Sequence, residues 1–257
     1  MFGGSDIKID IKKPVYELIV EHILTNYNFL HKQVSHHVDV EYSAVLTGLA
    51  LGDGRIHSAF KRARISDENA GEIAKKLMDT NIVRLLKSRK QFTSWVDDER
   101  VSDKLLFTTP FMRFWFAFVA PIFKGIKEGN YDEFNQRYEN KIAEFREAVF
   151  KELSNELVKI SFAEEKVVET GAYWDREVEL DIFAKTASKK VIVGTCRYTN
   201  SKLKKSEIAK LEELANRAKI KADVFVIVAK RGFSSELKSL KSENIRLFTL
   251  KSFKSLL

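Results

Sequence analysis

Apolar residues first recur at helical spacing after Pro14: Tyr16, Ile19, Val20, Ile23 and Leu24 form one stripe, with the proline where a first turn tolerates it. A second helix is predicted over Tyr42 to Leu51, stopped by Gly52-Asp53-Gly54, and a short third over His57 to Ala63. Ser66 is placed to cap a fourth, running through Leu77 with Asp67 and Glu68 in its first turn. Ile82 to Leu86 and Leu105 to Phe107 then read as strands flanking the polar stretch Lys87 to Lys104. Short helices followed by a polar-tipped hairpin predict a winged-helix-like part.

The middle of the chain is aromatic. Phe111, Phe114, Trp115, Phe116 and Phe118 cover every side of one helix, which predicts burial all round and a hub on which other parts pack. From Glu133 to Ile160 a long one-sided helix carries Phe134, Tyr138, Ile142, Phe145, Val149, Leu153 and Leu157. After Phe162 the period changes. Glu177 to Phe183 alternates as a half-buried strand does, Lys189-Lys190 mark a turn, and Val191 to Tyr198 form a second strand. Lys202 to Lys219 reads as an amphipathic helix with Ile208, Leu211, Ala215 and Ala218 inward. Ala222 to Ala229 is apolar throughout, as a parallel strand covered on both faces would be. A loop at Gly232, a helix over Ser234 to Leu240 and a strand over Asn244 to Leu250 complete an α+β or α/β chain. Three domains follow: residues 1–108, winged-helix-like; 109–160, the helical hub; and 161–257, a mixed sheet flanked by helices, with the Glu177–Tyr198 hairpin at its acidic edge.

Charge adds a location. From Thr199 to Leu257 there are 14 Lys and Arg against 6 Asp and Glu, an excess equal to the net charge of +8 carried by the whole chain. A localised excess of this kind points to a polyanionic partner, nucleic acid first. Scattered solvated lysines are the plainer alternative. The richest apolar run, Phe111 to Phe123, is interrupted by Arg113 and Pro121, so no membrane partner is expected. A single cysteine, Cys196, excludes an internal disulfide, and with no signal segment at the N-terminus a cytoplasmic location is expected. Cys196 reads as an inert buried thiol and the His31, His36, His37 group as a surface cluster. Gly3-Gly4 reads as a loose terminus.

Candidate chemistry sits on the hairpin. Residues two apart on a strand share a face, so Glu177, Glu179 and Asp181 line one side and Val178, Leu180 and Ile182 the other. Val193, Thr195 and Arg197 share a face on the neighbouring strand. Three acids abreast must be solvated, paired with cations or bound to a metal.

The stretches Tyr173-Trp174-Asp-Arg-Glu-Val-Glu179-Leu-Asp181-Ile-Phe-Ala and Val191-Ile-Val-Gly-Thr195-Cys196-Arg197-Tyr198 resemble the C-terminal domain of archaeal-type AAA+ ATPases, the domain of unknown function 234. Phe111 to Phe118 is similar to the segment preceding it. The resemblance implies a restriction-endonuclease-like, PD-(D/E)XK sheet whose pattern is a helix acid, a strand Asp and a Glu-x-Lys on the next strand. Asp and Glu there hold magnesium and Lys acts on the attacking water. Carried over, Asp181 matches the strand Asp, Thr195-Cys196-Arg197 falls on Glu-x-Lys, and Lys151, beside Glu152, on the helix acid. Threonine brings magnesium no charge and arginine stays protonated. The expectation is a degenerate nuclease-like site without cofactor; only if the site were active would Asp181 hold magnesium, with a site migrated onto Glu179 and Asp181 as the variant. No G-x-x-x-x-G-K-[ST] occurs, so ATP hydrolysis by that route is not expected.

The functional expectation is a protein that binds nucleic acid, DNA favoured, through Lys202, Lys204, Lys205, Lys210 and Arg217 on the helix behind this site. Arg62, Arg64, Arg89 and Lys90 in the winged-helix-like part would supply a second contact. The alternatives are an active metal-dependent endonuclease and a protein-interaction scaffold serving a separate partner.

Overall fold

The computed structural model describes residues 1–36, 38, 42–66, 70–89 and 103–256. Its chain contacts resolve into two compact units, residues 1–86 with 102–145 and residues 87–101 with 146–257. The predicted mixture of helix and sheet is present, and each unit has its own reasons for folding.

The first unit is helical. It contains α1 (Val15–Ile19) continuing into a π-helical turn (Val20–Leu24), α2 (Tyr27–Ser35), α3 (Ser43–Ala50), α4 (Ile56–Ala63) and α5 (Ala70–Asp79). An antiparallel pair follows, β1 (Val83–Leu86) with β2 (Lys104–Phe107), in register from Val83↔Phe107 to Leu86↔Lys104. Next come α6 (Pro110–Phe114), a π-helical turn (Trp115–Val119), α7 (Phe123–Lys127) and the beginning of α8 (Asp132–Ser161). His37, Asp67, Glu68 and Lys90, named above, lie outside the described residues, as does most of the stretch between β1 and β2.

The aromatic segment is buried as its composition predicts, every residue from Phe114 to Val119 being inaccessible. Trp115 stacks on Tyr27 with ring centroids 5.7 Å apart, and Phe118 packs on Phe114 at 5.0 Å and Phe145 at 5.7 Å. Aromatic pairs at such distances contribute about 0.5–1.5 kcal/mol each beyond the area they bury. The one charge in the run is answered: buried Arg113 donates from Nε to the Ala50 carbonyl at 3.1 Å. Thr109 caps α6 by accepting the Met112 N–H, with Pro110 at the first helical position. Gly3-Gly4 is a correction, because it packs and is not loose. The Phe111 N–H donates to the Gly3 carbonyl, and Gly4, at φ +81°, presses so near Thr109 that a Cβ would lie 2.3 Å from its methyl carbon.

The second unit is a five-stranded sheet in the order β3 (Val167–Trp174), β4 (Glu179–Thr186), β5 (Val191–Arg197), β6 (Val224–Ala229), β7 (Ile245–Thr249). β3, β4 and β5 are antiparallel neighbours, whereas β5, β6 and β7 run parallel. α9 (Ser206–Arg217) and α10 (Ser235–Ser239) connect the parallel strands, and a 3-10 segment (Leu250–Leu256) ends the description. Two cores form on opposite faces. Leu180, Phe183, Val193, Ile227 and Ala229 meet Ile208, Leu211 and Ala215 of α9. Ile182, Ala184, Ile192, Val226 and Val228 meet Phe150, Leu157 and Val158 of α8. β6 alternates between the two, which is why it reads as one apolar run.

Four expectations are corrected. β3 lies outside β4, so the hairpin is not the sheet edge. β4 starts at Glu179, because the Asp175 carboxylate accepts the Glu177 and Val178 N–H groups and turns Glu177 away from the ladder. Leu180 and Ile182 fall in different cores, not on one face, since a register shift against β3 between Gly171↔Phe183 and Tyr173↔Leu180 breaks the alternation at Asp181-Ile182. On α8 the apolar stripe drifts: Leu153 is 43% exposed while Phe150, Ser154 and Val158 are buried.

Candidate functional site

The pairing of β4 with β5 ends at Ile182↔Gly194, whereas β5 stays paired with β6 as far as Arg197↔Ala229. Beyond Gly194 the two strands therefore part. The Asp181 side chain fills the opening, 8% exposed, and its carboxylate substitutes for the missing strand partner. Oδ2 accepts the Cys196 N–H at 2.9 Å and the Thr195 hydroxyl at 3.0 Å. Oδ1 lies 2.9 Å from Lys151 Nζ, which comes in from α8. Arg197 Nη1 is 3.5 Å from Oδ2.

The network continues outward. Arg197 Nε is 3.3 Å from Glu207 Oε2 at the start of α9, and Glu207 Oε1 is 2.8 Å from Lys210 Nζ. Signs alternate along this chain: Lys151, Asp181, Arg197, Glu207, Lys210. Asn155, one turn after Lys151 on α8, donates to the Asp181 and Lys151 carbonyls and fixes the helix against the strand. Around this lies a shallow depression of about 200 Å³, lined by Lys151, Glu179, Asp181, Gly194, Thr195 and Arg197, with Leu180, Leu211 and Leu214 on its apolar side.

The electrostatics follow from the neighbours. Burial favours a neutral Lys151, but the Asp181 carboxylate, helped by Glu147 and Glu179, outweighs it and holds the ammonium above its ordinary range. Burial likewise opposes the charge on Glu207, and Lys210 with Arg197 reverse that, holding the carboxyl below its ordinary value. For Cys196, burial, followed by the charge of Asp181, pushes the thiol far up, so it is no nucleophile at neutral pH.

Magnesium does not fit here. It needs near-octahedral oxygen ligands with anionic character, yet both Asp181 oxygens already face donors, two of them cationic. Among the described residues no cluster of three His, Cys, Asp or Glu could hold a metal. The arrangement can hold its own carboxylate firmly in place.

Of the residues expected at this site, the structure brings together Lys151, Glu179, Asp181, Thr195 and Arg197. Glu152 stands apart from the depression on α8. Sequence reasoning missed Glu207 and Asn155. The four-residue spacing from Lys151 to Asn155 was the available signal for the second.

The expected phosphate contacts divide in two. Lys202, Lys204 and Lys205 precede α9 and do not lie on it; all three are exposed, and none pairs with an acid among the described residues. Arg64 is also exposed, at the left-handed residue closing α4. Others are engaged within the protein. Lys210 pairs with Glu207, Arg217 lies 3.7 Å from Glu177, Arg62 donates to the Gly48 carbonyl, and half-buried Arg89 donates to the Thr170 carbonyl at 2.8 Å.

Residues 115–211 match the model of a family described as archaea bacterial proteins of unknown function, the domain of unknown function 234. The match takes in every member of the ion-pair network: Lys151, Asp181, Thr195, Arg197, Glu207 and Lys210. No curated protein matches the chain. The crystal structure of protein VC1899 from Vibrio cholerae aligns with 85% of this chain at 12% identity and a TM-score of 0.33. The chain spans 55% of that protein's length, and no function is carried over from it.

Proposed function

We propose that this chain binds nucleic acid, DNA foremost, through the phosphate backbone and does not cut it. In this reading the five-stranded unit is a nuclease-like domain in which ion pairs replaced the metal, and α3 to β2 form a separate winged-helix-like part. One observation carries the reading: Lys202, Lys204 and Lys205 stand exposed, without acidic partners among the described residues, soon after the strand whose Arg197 closes on Asp181. Unpaired lysines attract phosphate and read no base. A carboxylate already saturated by donors cannot recruit the metal that cleavage by this class requires.

Binding carried by phosphates releases counterions, so affinity falls with salt by roughly 0.9 power of the concentration per phosphate contacted on duplex DNA. The test is fluorescence anisotropy with duplexes of unrelated sequence over a salt series. The expected result is a steep log–log slope shared by all sequences. No binding at low salt would contradict the proposal and leave a protein scaffold as the function.

A further inference from the structure

Two loops meet at the carboxyl ends of β5 and β6, the side on which open α/β sheets receive ligands. The Leu203 N–H donates to the Gly232 carbonyl at 3.0 Å, and the Ser234 N–H donates to the Leu203 carbonyl at 2.8 Å. Leu203 and Phe233 are both buried in the core under α9. Residues 202–204 are thereby held extended beside 232–234, and Leu203 pointing inward turns Lys202 and Lys204 outward, about 6–7 Å apart along the chain. The second loop is anchored to the first. The Lys230 N–H donates to the Arg197 carbonyl, while Lys230 Nζ lies 2.8 Å from Asn200 Oδ1 and 4.4 Å from the centre of the Tyr198 ring. Arg231 beside it is exposed. Neither Tyr198 to Lys205 nor Lys230 to Ser235 contains an acid.

Resting on the function proposed above, we infer that the nucleic-acid contact is this stapled two-loop platform, formed by Lys202, Lys204, Lys205, Lys230 and Arg231. The face of α9 that bears Lys210 and Arg217 takes no part. The staple supplies what a loose lysine loop lacks: the charges are fixed before the ligand arrives, so less side-chain and loop freedom is lost on binding. Leu203 and Phe233 point inward, and half-buried Tyr198 packs on Phe150 beneath Lys230, so the platform presents charge where protein partners would use a bare apolar anchor. A phosphate backbone needs none. Because Arg197 joins the platform to the Asp181 network, a strand docked there passes beside the depression.

Three double charge reversals that change net charge equally separate the possibilities: K202E/K204E, K230E/R231E and K210E/R217E. Binding of a labelled DNA duplex and of its single strand is measured over a salt series, with polyglutamate as competitor and a thermal melt to confirm folding. The first two variants are expected to lose about tenfold or more in affinity at low salt, and their salt slopes to fall by about 2, one power for each phosphate contact removed. K210E/R217E is expected to stay within about threefold of the wild type, a change attributable to net charge alone. Loss in all three alike, or in K210E/R217E only, would overturn the platform while leaving nucleic-acid binding intact. Displacement of DNA by polyglutamate at lower charge concentration would overturn it in favour of an acidic protein partner. A wild type that binds neither DNA probe would instead defeat the parent proposal.

Discussion

Asp181 faces four donors: an ammonium, a guanidinium, a hydroxyl and a backbone N–H. Changing it to Asn keeps the shape and removes the charge that holds two cations. Losing one partner of a fully buried pair costs about 3–5 kcal/mol. Lys151 and Arg197 are 35% and 36% exposed and regain solvation, so a loss of about 2–3 kcal/mol in denaturant unfolding is expected for Asp181→Asn. A vacant metal centre would respond in the opposite sense, because removing one of several clustered acids relieves repulsion. A stabilised Asp181→Asn variant would therefore contradict the ion-pair account.

The pH dependence has two arms. Glu207 is held below its ordinary value of 4.5, so its contribution is present above that pH and lost as pH falls through the lowered value. Lys151 is held above its ordinary 10.5, so its contribution is present below that pH and lost as pH rises through the raised value. The stability gap between wild type and Glu207→Gln is expected to close on acidification below about pH 4.5. A gap that stays constant into acid would show that Glu207 does not act through its charge. At this scale Asp181 and its neighbours were legible, because strand alternation and the family-like motif marked them. Glu207 was not, since it is one of several acids on an amphipathic helix and only the fold brings it to Arg197.

At the scale of elements, close approach of strands sets the site. A Cβ on Gly194 would lie 2.7 Å from the Val226 carbonyl oxygen and 3.1 Å from Ile182 Cδ1, and Gly194 is the last residue of β5 paired with β4. Gly194→Ala must push apart strands buried on both faces, and overpacking of this kind costs about 1–3 kcal/mol. Thermal unfolding checks it, and an unchanged midpoint would mean the sheet yields at no cost. β6 was legible because its side chains enter two cores, leaving no polar position. β3 was not: Glu169, Thr170 and Gly171 break its pattern, and its ladder carries two register shifts. The start of α9 was misplaced by four residues for a related reason. Leu203 fits a helical stripe in sequence, yet it reaches the core under α9 from the extended loop staple and is not itself part of the helix.

At the scale of the whole molecule, the aromatic segment belongs to the first unit, and α8 supplies residues to both units without a break in the helix. The division between the units falls at Phe145 and Arg146, inside α8, where the helical period runs on and composition leaves no mark. Ser88 likewise joins the second unit through hydrogen bonds with the Trp174 backbone, 86 residues away, which no local pattern encodes. The charge excess after Thr199 was legible as a number, but which lysines remain unpaired depends on the fold.

The central claim is binding without cleavage, and a supercoiled plasmid assay with magnesium or manganese tests both halves in one sample. The account predicts that protein sufficient to retard the plasmid leaves it supercoiled after deproteinisation, with either metal. Metal-dependent nicking that copurifies with the protein and vanishes in Asp181→Ala would contradict it.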